Sequence, residues 1–152
     1  MTDALQRLVD RQAIVDQMHG YCRWVDMNRP EEQVKMFVAD CVTRYGGGAD
    51  IVGRDALLTM LHGALARYSA THHHVSNIEI DFTGDDTADA VSYVYAWHRH
   101  VDETKPDFIL HARYVDTWRR TDEGWRCVTR FLKTAGTIPP RDGMPGIDRR
   151  PS

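Results

Sequence analysis

Apolar side chains near the start of the chain fall at Leu5, Leu8, Val9, Ile14, Met18, Tyr21, Cys22 and Val25, a spacing that predicts one face of a long helix. Asn28 and Pro30 end that helix and open a second. Pro30 suits a first helical turn, Glu31 and Glu32 suit its positive end, and Val34, Phe37 and Val38 give the buried side. "CVTRYGGGADIVG" then reads as a short strand, a glycine turn and another short strand. From Arg54 to Ser69, Leu57, Leu58, Leu61, Ala64, Leu65 and Tyr68 return to helical spacing, with Asp55 in the opening turn.

Beyond that third helix the chain turns β-rich. "HHHVSNIEIDF", "ADAVSYVYAWHRHVD", "FILHARYVDTWRRT" and "GWRCVTRFLKTAG" are separated by "TGDD", "ETKPD" and "DEG", each short enough for a hairpin. Four strands joined this way form an antiparallel meander. Helices first and sheet afterwards is an α+β order, with the helices on one face. Strands this long twist and curl, so the three helices would close a strongly curved sheet into a cone around a cavity suited to a small molecule. The chain reads as a single domain over residues 1–138. Residues 139–152 form a Pro-rich arm, extended or partly disordered.

Composition narrows the partners. With 42% hydrophobic and 27% charged residues, the chain is of the water-soluble globular class. A net charge of -3 lacks the clustered positive field that nucleic acid or an anionic membrane requires. Arg119, Arg120, Arg126 and Arg130 are interleaved with Asp116, Asp122 and Glu123, which predicts a solvated, charge-mixed strand pair. Cys22, Cys41 and Cys127 are widely spaced and odd in number, as expected of reduced thiols in a cytoplasmic protein. The N-terminus has no signal-peptide apolar core, and no run approaches a membrane span.

Candidate chemistry centres on "THHHVSN". On a strand, His72 and His74 point one way and His73 the other. His72 and His74 could join His98 or His111 at a metal, but an isolated H-x-H is weak support, and no metal is expected. Asp26, in "CRWVDMNRP", follows Val25 on the apolar face of the first helix. An acid at a helix C-terminus opposes the dipole, so a partner is expected. A histidine would serve, since the carboxylate fixes its tautomer and raises the basicity of the other ring nitrogen.

The order of elements, with the Asp of "WVDMN" closing helix one and the middle histidine of "HHHVSN" opening the strand after helix three, resembles the SnoaL-like branch of the NTF2-like superfamily over residues 3–138. Scytalone dehydratase, hexachlorocyclohexane dehydrochlorinase and bile acid dehydratases belong to that branch. The resemblance implies a His73–Asp26 catalytic dyad. It also implies that Tyr45, in "CVTRYGG", orients a water and that His98, in "YAWHRH", is an acid for a leaving hydroxyl. The spacing to Asn77 is similar to that in the dehydrochlorinase. Departures from the dehydratase pattern are Val25, Ala112 and Tyr114, and the dehydrochlorinase's active-site Arg has no firm counterpart.

Tyr21, Tyr45, His98, His111 and Tyr114 are therefore the candidate substrate contacts, although His111 and Tyr114 lie on opposite strand faces and parity alone does not choose between them. The resulting expectation is a cofactor-independent, dehydratase-type lyase acting on an apolar cyclic compound, aromatic, polyketide or steroid-like. Ketosteroid-isomerase or polyketide-cyclase chemistry, or a non-catalytic binding or assembly module, are the alternatives. With His98 facing in, Tyr93 and Trp97 face out, which points to a homo-oligomer, trimer or dimer.

Overall fold

The computed structural model describes residues 3–143 and 146–147. Helix α1 spans Asp3–Asp26, α2 Pro30–Gln33 and α3 Arg54–Leu65. The strands are β1 Phe37–Arg44, β2 Ile51–Val52, β3 Tyr68–Phe82, β4 Thr87–His100, β5 Phe108–Thr121 and β6 Gly124–Ile138. They form one sheet in the order β2-β1-β6-β5-β4-β3, antiparallel except where β1 runs parallel to β6. The α+β class and the meander of β3 to β6 are as the residue pattern predicts, and the sheet is open rather than closed.

Element ends differ where the sheet captures chain with helical spacing. The second helix stops at Gln33, and after a single 3-10 turn Phe37 pairs with Cys127 of β6, so Phe37 and Val38 are strand residues. Likewise α3 stops at Leu65, and Tyr68 opens β3 opposite His100. In α1 the buried stripe runs through Asp10, Ile14, Met18, Tyr21, Cys22 and Val25. At about 100° per residue, Leu5, Leu8 and Val9 fall on the other side, and all three are exposed. Arg7 and Asp10 take their place on the inner stripe. Arg7 donates to the Gly84 carbonyl, and Asp10 is held by Arg120, Gln6 and the Trp125 indole N–H.

Two bulges decide which side chains face the helices. In β3, Ser76 pairs with Tyr93 but Glu79 with Val91, and Asn77 takes a left-handed φ of 47°. Inward positions therefore change from Thr71, His73 and Val75 to Ile78, Ile80 and Phe82. In β6, Cys127 pairs with Trp118 but Thr129 with Thr117. The inward set changes there from Trp125 and Cys127 to Arg130, Leu132 and Thr134.

Arg130 is consequently inside, not solvated. It is 1% exposed and makes a two-pronged pair with Asp116 of β5, also 1% exposed, with Nε–Oδ1 at 2.9 Å and Nη2–Oδ2 at 2.7 Å. This corrects the expectation of a solvated strand pair at these two positions. The described part of the Pro-rich arm folds back on the sheet. Arg141 stacks on Phe108 at 3.7 Å, and the Ile147 N–H donates to the Thr134 carbonyl at 3.1 Å. Residues 144–145 and 148–152 of the arm lie outside the described residues. Among the described residues no helix is long and apolar enough to cross a membrane.

Replacing Asp116 with Ala strands a buried guanidinium and should cost about 3–5 kcal/mol in urea unfolding; a loss below about 1 kcal/mol would mean that Arg130 finds water instead. Hydrogen bonding from Arg120, opposed by burial and aided by Trp125 and Gln6, lowers the Asp10 carboxyl from 3.8 to about 2. Its stabilisation is thus complete above pH 3.8 and disappears as pH falls through about 2. Asp10→Asn should flatten the stability–pH curve in that window, and an unchanged slope would contradict the assignment.

Candidate active site

Asp26 is the last residue of α1, and the chain leaves it through Asn28 in a left-handed conformation (φ 52°), which Asn tolerates. This stop aims the carboxylate at the first turns of β3. Asp26 Oδ1 accepts from Thr71 Oγ1 at 2.9 Å and lies 2.7 Å from His73 Nδ1, while Oδ2 accepts from the His73 backbone N–H at 2.9 Å. The His73 side chain is 9% exposed and that of Asp26 21%. Burial raises the Asp26 carboxyl, but the bonds from the His73 ring and backbone, attraction to His73 and the Thr71 bond outweigh it, and the net direction is down. Asp26 is therefore a carboxylate at neutral pH and His73 Nδ1 its donor, which leaves Nε2 to face the interior.

His98 meets His73 edge-on, with ring centroids 5.2 Å apart. Tyr68 and Phe108 flank it at 4.7 and 5.4 Å, and its Nδ1 donates to the Phe108 carbonyl at 3.2 Å. Burial, then repulsion by His73, brings His98 from 6.5 to about 4, against the pull of the Phe108 bond. It is neutral at physiological pH, with Nε2 an acceptor.

A second cluster lies deeper. The Tyr21 and Tyr45 hydroxyls are 2.9 Å apart, and the Arg130 guanidinium packs over the rings of Tyr21 at 4.4 Å and Tyr114 at 4.0 Å. Arg130 Nη1 has no hydrogen-bond partner among the described residues. Burial raises all three tyrosines, so each keeps its proton. Cys22 links the clusters: burial lifts its thiol to about 11, with Arg130 lowering it and Asp26 raising it.

Of the candidate residues, His73, Asp26 and His98 form one group, and Tyr21, Tyr45 and Tyr114 the other. His111 belongs to neither. It is exposed on the outer face of β5 beside Tyr95, at 5.1 Å, because alternation along β5 puts Tyr114 inside and His111 outside. His72 and His74 are likewise exposed, edge-to-face at 4.4 Å, and no group of three or more metal-ligating side chains occurs among the described residues. Trp97 lies on the outer face of β4, as its alternation with the inward His98 predicts, and donates to Asp107. Arg130 was missed because the β6 bulge reverses its face, and no residue type near Val128 signals one.

The family model for the SnoaL-like domain matches residues 6–130. The chain belongs to the SnoaL-like family. A candidate scytalone dehydratase from Novosphingobium aromaticivorans DSM 12444 is 38% identical, with a TM-score of 0.90 over 99% of this chain and 100% of that one. A candidate aromatic ring hydroxylase from the same organism is 25% identical, with a TM-score of 0.77 over 84% and 90%. The hexachlorocyclohexane dehydrochlorinase LinA-type3 from Novosphingobium barchaimii LL02 is 19% identical, with a TM-score of 0.81 over 97% and 100%, a likeness of fold alone. No curated protein gives a significant sequence match. This SnoaL-like chain thus has the NTF2-like fold, in a family with lyases among its structural neighbours.

The His98 ring should titrate near pH 4 in proton NMR, and His73→Asn should raise its pKa toward, but not to, 6.5, because burial persists after the neighbouring ring is removed. Titration at 6.5 in the unaltered chain would contradict its buried, neutral state.

Proposed function

We propose that this chain is a cofactor-independent lyase of dehydratase type, with His73 as general base and Asp26 as its positioning partner. The 2.7 Å bond between His73 Nδ1 and Asp26 carries the reading. Asp26 fixes the tautomer, and the bare Nε2 takes a proton from an acidic C–H of an apolar cyclic substrate. The C–H electron pair becomes the new double bond, and hydroxide is expelled as water on gaining a proton. The His73 imidazolium returns that proton, and the Tyr45 hydroxyl, fixed by its contact with Tyr21, donates a hydrogen bond to the departing oxygen. Arg130, its charge balanced by Asp116, packs over the Tyr21 ring and holds that pair of hydroxyls in place. His98, neutral at physiological pH with its one N–H given to Phe108, in this reading orients the substrate as an acceptor rather than serving as the acid.

The alternatives are less well supported. In a binding module the dyad would be apart or open to solvent, whereas His73 is nine-tenths covered and bonded to Asp26. An isomerase would place a free carboxylate at the heart of the site, but Asp116 is committed to Arg130. The outer row of Tyr93, Tyr95 and Trp97, with Tyr93 39% and Val115 37% exposed, supports a homo-oligomer, trimer or dimer, built on that face.

A panel of cyclic β-hydroxy ketones, followed by the ultraviolet absorbance of the conjugated product, tests the activity. His73→Asn and Asp26→Asn should each slow elimination by about 10²–10⁴-fold, with melting temperature checked alongside. Undiminished turnover in either variant would remove the dyad from the mechanism.

A further inference from the structure

A cleft of about 590 Å³ opens where β3 starts and β4 ends, beside His100, and is lined by Arg67, Lys105 and Arg141 against the single carboxylate of Asp102. Lys105 lies 3.5 Å from Asp102 and is spoken for. The two arginines are not: neither pairs with a carboxylate among the described residues, and Arg67 gives only its Nε–H, to the Ala64 carbonyl at 3.3 Å. Each packs against an aromatic ring. Arg67 lies over Tyr68 at 5.6 Å and Arg141 over Phe108 at 3.7 Å. Those are the two rings that flank His98.

Stacking satisfies the face of a guanidinium and leaves its N–H edge free, the edge that matches a carboxylate or phosphate in two-pronged fashion. A planar cation already held by a ring also loses less freedom on binding than a lysine would. We propose that Arg67 and Arg141 form an anion site at the entrance, which holds the acidic group of the substrate, a carboxylate or phosphate monoester, while its apolar body passes Tyr68 and Phe108 toward His98 and His73. Calling that ligand the substrate rests on the dyad reading; the anion site itself rests on the two arginines. The arm contributes directly, because Arg141 belongs to it and the strand-like contact of Ile147 with Thr134 anchors the chain beyond.

The test is binding to the full chain at low salt, by calorimetry and amide NMR, with phenylacetate, phenyl phosphate and the neutral phenylacetamide as probes. Phenylacetate or phenyl phosphate should bind saturably, with dissociation constants of about 1 mM and shifts at Phe108 and Tyr68, and the tighter of the two identifies the acidic group. Phenylacetamide should bind at least about tenfold more weakly. Arg67→Gln and Arg141→Gln should each weaken the anion by about tenfold at unchanged melting temperature. Equal binding of the amide, anion binding that survives both substitutions, or no saturable binding of either anion would overturn the proposal. His73→Asn separates the two readings: it should bind phenylacetate as the unaltered chain does. A loss of anion affinity in that variant would count against a site built by the arginines.

Discussion

The carboxylate of Asp26 is in an unfavourable place, at the negative end of a 24-residue helix and four-fifths covered. Three donors from β3 compensate: Thr71 Oγ1, the His73 backbone N–H and the His73 ring. The same bonds fasten the end of α1 to the edge strand of the sheet, so the interaction that orients the histidine also sets how the helix closes over the concave face. Loss of the carboxylate would loosen the fold and misalign the His73 ring together. A substitution there is informative only when stability and turnover are both followed.

Much of this was legible beforehand. Turn signals and alternation place all six strands, and the dipole argument singles out Asp26 as an acid needing a partner. Apart from the element ends at Phe37 and Tyr68, what escaped was face. A strand's alternation holds only while its register is unbroken, and single extra residues at Asn77 and near Val128 reverse it in β3 and β6. Asn77 carries a usable hint, since Asn tolerates the left-handed backbone that bulges require. Val128 carries none, and so Arg130 read as a surface charge. The exposed Leu5, Leu8 and Val9 are a related error of period: they are apolar, yet lie about half a turn from the stripe that Ile14 and Met18 define.

The interior divides its electrostatics between two clusters. In one, Asp26 is charged and His98 neutral, kept so by burial and by the neighbouring His73 ring. Deeper in, the charge of Arg130 is balanced by Asp116, with protonated tyrosines around it. A base at one end and hydroxyl donors at the other is the polarity the proposed elimination needs: a proton leaves toward the histidine and the departing oxygen is met by the hydroxyls. The SnoaL-like fold carries several activities, so the weight of the reading rests on this arrangement rather than on the fold.

The tautomer of His73 is the most direct test of the account, by ¹⁵N NMR of the imidazole nitrogens in the neutral ring, with His73→Asn to assign the signals. The account predicts a proton on Nδ1, slow to exchange because Asp26 holds it, and a bare Nε2. A ring protonated on Nε2 with Nδ1 bare would contradict it, since the nitrogen facing the interior could then accept nothing.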